Sequence, residues 1–453
     1  MLKRKFAFWR FQANHLDAMA RYLERQASKG WFMDCKASEL LSVITFRRGT
    51  PKKLKYSAVI IPSVSEWDQD TDSRVVEYRQ LCEEYGWSFV GSYLKYKIFS
   101  NENMDAAPIE TDPDLWFETV GRELLTKTVP SYLILCFLFF FQCRSFFREP
   151  AWNLVNSDVV AATAAQAVMG LVVICILAGS VFWYMVTRRR LKKGREIRPV
   201  SLKTVQAGNL FYLAGFLLLV LSLFGGGESL SRFLFGFVGL LVAIVAILLS
   251  GVLHWAVKKH FVDSGGSGAV SFGVLFFITF LILMVGFGTV AANVSPDALN
   301  RRAISGEEGV HLPVEVKSLG YVWEDDFFGR SESSVLASVE GGRYARMDGS
   351  TVQYSVSISY YTANYPWVYQ LIYEDMKADY GNAYEVSGPE TSHQGGITVD
   401  YYLYEIDEPD VWSHYIYVMQ KGNSILKLDF NRQDDPGLVF HVMEQLEQKT
   451  EEK

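Results

Sequence analysis

The fold is decided by VVAATAAQAVMGLVVICILAGSVFWYMV at residues 159–186, which is followed at once by TRRRLKKGREIRPVSLK at residues 187–203. A helix needs about 20 mostly apolar residues to cross the hydrocarbon core of a bilayer, and the first segment exceeds that length. The second segment holds eight Lys and Arg residues against a single acid, Glu196. Because positively charged loops beside membrane spans are retained in the cytoplasm, this pair of segments predicts a span whose carboxyl end is cytoplasmic.

Further apolar stretches on both sides predict an all-α membrane bundle of five helices. The first stretch is the weakest because Lys127 and Arg144 bracket it, and we expect it to reach span length by extending to Phe147 while Arg144 snorkels. The predicted spans are residues 129–147, 159–186, 207–224, 233–257 and 268–292. Lys3-Arg4-Lys5 is not followed by the apolar core of a signal peptide, so we expect a cytoplasmic amino terminus and, after five crossings, an extracellular carboxyl terminus.

Composition agrees with a chain whose apolar and polar parts are segregated. Hydrophobic residues make up 49% of its 453 positions, which is high for a soluble protein. Charged residues make up 21%, too many for a chain that lies wholly within the membrane. Residues 293–453 hold 12 Lys and Arg against 27 Asp and Glu, a net charge of −15. We therefore predict a cytoplasmic α+β domain at residues 1–127, a transmembrane region at 128–292 and an acidic exported α+β domain at 293–453. No strongly basic footprint for nucleic acid is present.

The first hundred residues contain two copies of one pattern: helix, Gly-Trp, strand, strand. The first helix, with Asn14 as its expected cap, ends at Gly30-Trp31, and the second ends at Gly86-Trp87. The expected strands lie at 31–35, 40–46 and 54–61 in the first copy and at 88–90 and 93–99 in the second. We expect φ > 0 at each glycine and an indole packed over the helix that it follows; a ligand-stacking role for the two indoles is the alternative.

These residues carry a family resemblance. The runs HLDAMARYLERQASKGW, FRRGTPKKLKY, YRQLCEEYGWSFVGSYLKYKIF and PIETDPD occur in this order within residues 9–114. In order and spacing they resemble the bacterial domain of unknown function 2812, a membrane-protein family. The resemblance implies a domain found mainly in Firmicutes, usually joined to several membrane helices and often encoded beside PadR-type transcriptional regulators. It implies no established activity and supplies no catalytic residue.

The carboxy-terminal region is predicted to be an antiparallel sheet with at least two helices. Residues 352–360 alternate apolar and polar side chains, and Pro366 and Pro436 each open a helical pattern. Further strands are expected at 397–404, 414–420 and 426–430, the last two joined by a turn at 421–423. Sheet structure explains most of its tyrosines, although an aromatic face for a glycan or peptide is an alternative. The acids Glu405, Asp407, Glu408 and Asp410 lack the spacing of a calcium loop and are read as a solvated turn.

Motifs of known chemistry are missing from the sequence. There is no phosphate loop, zinc-protease helix or nucleophile elbow, and neither the five cysteines nor the seven histidines are paired at ligand spacing. The four strongest spans contain no Asp, Glu, Lys or Arg, which argues against an ion-coupled transporter. We therefore predict no catalytic, cofactor-binding or metal-ligating residue and no cofactor, and nothing supports an enzyme.

A multi-pass plasma-membrane protein with folded domains on both faces suits a sensor or regulatory protein that links an exterior domain to a cytoplasmic one. The alternative is an accessory subunit or scaffold of an envelope or transport complex, and an enzyme acting on lipid or cell-wall material comes third. The expected partners are the lipid bilayer, a protein on the cytoplasmic side and a cationic or neutral exterior ligand.

Overall fold

The computed structural model describes most of the chain on either side of one long gap. The described residues are 4–8, 10–34, 43–62, 64, 68, 70–93, 95–222, 303–304, 310–324, 329–349, 351–381, 386–404, 413–431 and 433–448. The chain divides into a first unit (Met1–Phe140, Ala165–Leu223 and Phe235–Asn293) and a second unit (Phe141–Ala164, Phe224–Leu234 and Val294–Lys453).

The first unit opens with a duplicated α/β arrangement. Its elements are β1 (Arg4–Phe8), α1 (Leu16–Ala27), β2 (Trp31–Asp34), β3 (Val43–Arg48), β4 (Lys55–Ile60), α2 (Ser73–Glu84), β5 (Ser88–Tyr93) and β6 (Tyr96–Asn101). The strands form two antiparallel three-stranded sheets, in the orders β1-β3-β2 and β4-β6-β5. Each copy is therefore strand, helix, strand, strand. The predicted repeat is present, but the segment assigned to the end of the first copy is the opening strand of the second.

Helix α1 supplies much of the core of this region. Leu16, Met19 and Leu23 lie on one side of the helix at helical spacing and are buried against Phe46 of the first sheet and Ile98 of the second. The helix therefore joins both copies into one hydrophobic core.

The predicted cap at Asn14 is wrong. Residues Ala13–His15 form a 3₁₀ turn, and the Gln12 backbone N–H donates to His15 Nδ1 at 3.2 Å, so α1 begins at Leu16 and the residue before it is His15. The helix stops are confirmed, because Gly30 has φ +76° and Gly86 has φ +80°. A Cβ at Gly30 would lie 2.6 Å from the Gly49 carbonyl oxygen, so this turn also requires a residue without a side chain.

Within the described residues, three helical segments are long and apolar enough to cross a membrane: Pro113–Phe146, Ser157–Leu191 and Leu202–Ser222. They comprise α3 (Pro113–Glu123), a π-helical turn (Leu124–Thr128), α4 (Val129–Phe146), α6 (Ser157–Leu191) and α7 (Leu202–Ser222), with the short α5 (Pro150–Asn153) between α4 and α6. The first predicted span, 129–147, corresponds to α4, which continues past Arg144 to Phe146, and α3 and the π-helical turn precede it without a break. The predicted spans 233–257 and 268–292 lie outside the described residues, so three of the five expected helices are seen.

Helices α6 and α7 are antiparallel neighbours. At one end Trp183 Nε1 donates to the Arg198 carbonyl, in the loop between them, at 3.3 Å. At the other end a Cβ placed on Gly215 would lie 3.7 Å from Met169 Cα, which shows how closely the two backbones approach.

The second unit is β-rich. Its elements in the carboxy-terminal domain are β7 (Ala303–Ile304), β8 (Tyr321–Trp323), β9 (Gly329–Ser333), β10 (Ala337–Asp348), β11 (Thr351–Ala363), α8 (Pro366–Gly381), β12 (Val386–Gln394), β13 (Ile397–Tyr404), β14 (His414–Lys421), β15 (Ser424–Asn431) and α9 (Pro436–Gln448). The described strands form one antiparallel sheet, in the order β12-β13-β14-β15-β11-β10-β9-β7, with β8 also paired to β10.

The two helices of this domain cover opposite faces of the sheet. On β14, Val418 belongs to the core cluster of Val368 and Ile372 from α8, whereas the next residue, Met419, packs in the cluster of Leu438 from α9. Successive strand residues point to opposite faces, so each helix shields one of them. The predicted sheet and both helices are present; β7–β10 and β12 were not predicted.

Candidate functional site

The segment between β1 and α1 makes buried polar contacts with the apolar helices of the first unit. Ser180 Oγ on α6 donates to Gln12 Oε1 at 2.8 Å, and Gln12 Nε2 donates to the Tyr132 hydroxyl on α4 at 3.2 Å. Gln12 and Ser180 are both buried. Because a buried amide that loses its partners costs about 1–3 kcal/mol, these two hydrogen bonds fix the segment against both helices.

Arg10 places a positive charge at the same position. Its Nη2 donates to the Tyr132 hydroxyl, and its guanidinium lies 3.8 Å from the ring centroid of Tyr212 on α7 and 5.5 Å from that of Tyr132. Among the described residues, no carboxylate lies within ion-pair distance of it. Aromatic faces attract a guanidinium but leave its net charge in place, so this end of the helices is locally cationic.

A cavity of about 550 Å³ adjoins these contacts. Its lining combines polar groups from the β1–α1 segment with a mostly apolar wall from α6 and α7. The lining residues are Arg10, Gln12, Asn14, His15, Leu171, Val172, Cys175, Ile176, Gly179, Ser180, Trp183, Val200, Thr204, Val205, Ala207, Gly208, Asn209 and Phe211. A largely apolar cleft with a few convergent polar groups is typical of a small-molecule site.

Two polar side chains in the lining lack ordinary solvation. Asn14 is 5% exposed, and its Oδ1 has no hydrogen-bond partner in the part of the chain described. Burial, with a smaller contribution from the charge of Arg10, lowers the pKa of His15 to about 4, so its imidazole is neutral at pH 7. Since Nδ1 accepts the Gln12 N–H, the proton of the neutral ring lies on Nε2, which is a donor.

Aromatic side chains pack α3 against the carboxyl-terminal part of α6. The Trp116 and Trp183 rings meet edge to face at 6.2 Å, and Phe117 stacks on Tyr184 at 5.2 Å. A Cβ at Gly121 would lie 2.8 Å from the Tyr184 ring, so a glycine is needed for this approach. Trp183 therefore links α3, the cavity wall and the loop to α7.

The two repeat tryptophans differ in their surroundings. Trp87 is 2% exposed, packs with Cys82 and Phe99, and donates from Nε1 to the Ala107 carbonyl at 3.2 Å. Trp31 is half-buried, with Arg48 5.0 Å and Lys5 5.9 Å from its ring centroid. The structural role expected of both indoles is confirmed for Trp87, whereas Trp31 lies at the edge of the core.

A second cavity, of about 540 Å³, lies beside Trp87 and Cys82. Burial, together with the nearby charges of Glu110 and Glu83, raises the pKa of the Cys82 thiol to about 11, so it is protonated at neutral pH. A thiol is a poor nucleophile in that state, which argues against covalent chemistry at this position.

No metal centre is formed by the described residues, which contain no group of three His, Cys, Asp or Glu side chains able to hold an ion. His414 Nδ1 lies 2.8 Å from Asp429 Oδ1, and His441 Nε2 lies 2.7 Å from Gln445 Nε2, both in the second unit. The acids at 405–410 and the histidines at 254 and 260 lie outside the described residues.

None of the residues around the cavity of the first unit was predicted as a site. Arg10, Gln12 and Asn14 belong to the short run RFQANH, which has no periodicity and matches no motif of known chemistry. The one feature of the sequence that could have indicated the site is the group of polar side chains between β1 and the first apolar residue of α1. Such a group must find hydrogen-bond partners where the chain is buried.

Comparison with known proteins covers only the amino-terminal part. No curated protein and no solved structure matches the chain. Residues 15–132 match the family model described as protein of unknown function (DUF2812), about a quarter of the chain. The match includes α1, both Gly-Trp stops, α3 and the start of α4. It therefore includes His15 of the cavity lining and Tyr132, which binds Gln12 and Arg10. The resemblance predicted from residues 9–114 is thereby confirmed: this region is similar to the DUF2812 domain.

Proposed function

We propose that this protein is a membrane-embedded regulatory protein in which α4 and α6 transmit the state of an exterior domain to a cytoplasmic one. One observation carries the proposal: the same two helices hold side chains bonded to the amino-terminal domain and side chains packed into the carboxy-terminal domain. Tyr132 and Ser180 make the first set of contacts. Phe146, at the end of α4, and Val159, near the start of α6, make the second.

The contacts in the carboxy-terminal domain are specific. Leu154 and Val155, between α5 and α6, are fully buried in the core that α8 forms on the sheet. The Ala151 N–H donates to Asp375 Oδ2 on α8 at 2.8 Å, and Ser334 Oγ donates to the Leu154 carbonyl at 2.5 Å. A shift of α8 or of the β9–β10 turn therefore strains hydrogen bonds of the segment that joins α4 to α6.

The expected topology supports this reading. The basic loop at residues 188–203 favours a cytoplasmic location for the amino-terminal domain, and five crossings put the acidic domain outside. A ligand shifts such a system only by its differential affinity for two states, and packed helices with buried hydrogen bonds change between discrete arrangements.

The test uses Asp375→Asn in the full-length protein, reconstituted in bilayer discs. We expect the hydrogen bond from the Ala151 N–H to residue 375 to weaken, because an amide oxygen is a poorer acceptor than a carboxylate. We also expect a severalfold change in amide hydrogen exchange across residues 10–20. Asp348→Asn is the control: it removes the same charge from an exposed position at the end of β10. If Asp375→Asn changes exchange only in α5, α8 and the β9–β10 turn, the coupling is absent and the scaffold role remains.

A further inference from the structure

The cavity of the first unit has a polar end and an apolar end. Trp183 and Leu171 both line it and are separated by 12 residues on α6, which is about 18 Å along a helix. On the antiparallel α7, Thr204 and Phe211 also line the cavity. The β1–α1 segment places Gln12 beside Ser180, near the end at which α6 leads into the basic loop, and the Arg10 guanidinium against the Tyr212 ring of α7.

The apolar end is open. Leu171 is 61% exposed and Phe211 is 64% exposed, on helices whose composition suits the hydrocarbon core. In a bilayer those surfaces contact acyl chains. Half of a hydrocarbon core is about 15 Å thick, which is close to the length of this wall.

The polar end matches an anion that also carries donors and acceptors. Arg10 is a guanidinium without a carboxylate partner in the described residues, and Asn14 Oδ1 is a buried acceptor without a donor. The neutral His15 adds an Nε2–H donor. Eight Lys and Arg residues in the loop at 188–203 raise the local positive potential further.

We propose that this cavity binds an anionic phospholipid, with the phosphodiester beside Arg10, a headgroup hydroxyl within reach of Asn14, and one acyl chain along the apolar wall of α6. The charge of Arg10 selects an anion, and the apolar wall selects a lipid over a soluble phosphate. This inference does not depend on coupling between the two domains, because binding is measured directly.

The test titrates purified full-length protein in neutral detergent with phosphatidylglycerol, phosphatidylcholine and inorganic phosphate, with native mass spectrometry as the readout. We expect phosphatidylglycerol to bind at least about tenfold more tightly than phosphatidylcholine, the preference that one charge-assisted contact supplies. We also expect inorganic phosphate to leave bound phosphatidylglycerol in place. Equal binding of the two lipids, or displacement by phosphate at matched concentration, overturns the proposal.

Two variants separate the charge from the shape of the cavity. Arg10→Gln should remove most of the preference for phosphatidylglycerol, whereas Arg189→Gln, which deletes an exposed charge of the neighbouring loop, should change that preference less than about twofold.

Gly179→Leu fills the cavity from α6, where a Cβ meets nothing within 4 Å, and should abolish the bound lipid without disturbing Arg10. Its control is Ala178→Leu, which adds the same bulk at an exposed position outside the lining. Binding that survives Gly179→Leu places the lipid elsewhere and overturns the assignment.

Discussion

At the residue scale, Gln12 shows how a polar side chain can be essential to the packing of apolar helices. Its amide accepts a hydrogen bond from Ser180 and donates one to Tyr132, so one side chain satisfies groups on two helices. Ser180 Oγ also lies 2.9 Å from the Ile176 carbonyl, and Tyr132 also accepts from Arg10. The two partners therefore keep a hydrogen bond if Gln12 is lost.

Gln12→Leu should accordingly destabilise the full-length protein by about 1–2 kcal/mol, because it removes two net hydrogen bonds without leaving an isolated charge. The measurement is the free energy of unfolding in detergent, from denaturant titration. Gln206→Leu, at an exposed position of α7, makes the same chemical change outside the contact and should stay within about 0.5 kcal/mol of the parent. A Gln12 variant as stable as its control would mean that the segment is not held against the helices.

At the element scale, the helix stops were predictable and the pairing of the strands was not. Gly30 and Gly86 end helices because only glycine adopts their φ without strain, a local property visible in the sequence. Whether Lys55–Ile60 closes the first copy or opens the second depends on its partner, and it pairs with β6, about 40 residues away. Such long-range pairing leaves no local signal.

The strand β10 was missed for a related reason. Gly341 and Gly342 lower its strand propensity, yet Trp323 packs closely over Gly342, where a side chain would clash with the indole. The glycines that weakened the prediction are thus required by the tertiary contact. The same limit applied to the cavity, since Arg10 and Tyr212 are 202 positions apart in sequence and meet only in the fold.

The repeat tryptophans lead to a prediction about these elements. Trp87→Ala should lower the free energy of unfolding by about 3–5 kcal/mol, the usual effect of truncating a buried large aromatic residue. Trp31→Ala should lower it by only about 1–2 kcal/mol, because the ring is half-buried and held partly by cation–π contacts with Arg48 and Lys5. Denaturant melts of the two full-length variants test the difference, and equal losses would contradict the burial that the fold assigns to them.

At the scale of the whole molecule, the distribution of charge and apolar length predicted the three-part organisation better than it predicted any site. Spans of about 20 apolar residues are recognisable one at a time, because the bilayer requires each helix to satisfy its own backbone. The described helices α4, α6 and α7 follow the first three predicted spans closely. A binding site, in contrast, depends on which of those helices are neighbours and on the segment that packs beside them.

The remaining question at this scale is orientation, and it rests on the loop between α6 and α7. Its eight positive residues against one acid predict that reporters active in the cytoplasm work when fused after Thr126 or Lys203. Reporters active only after export should work when fused after Gly226 or Ser295, because three and five crossings from a cytoplasmic amino terminus end outside. The orientation should depend on the charge of this loop. Replacing Arg188, Arg189 and Arg190 by Gln should give mixed topology. Replacing Arg343, Arg346 and Lys377 of the acidic domain should leave the topology unchanged. Export of a reporter fused after Thr126 would show that α4 does not cross, and the amino-terminal domain would then share the exterior side with the acidic one.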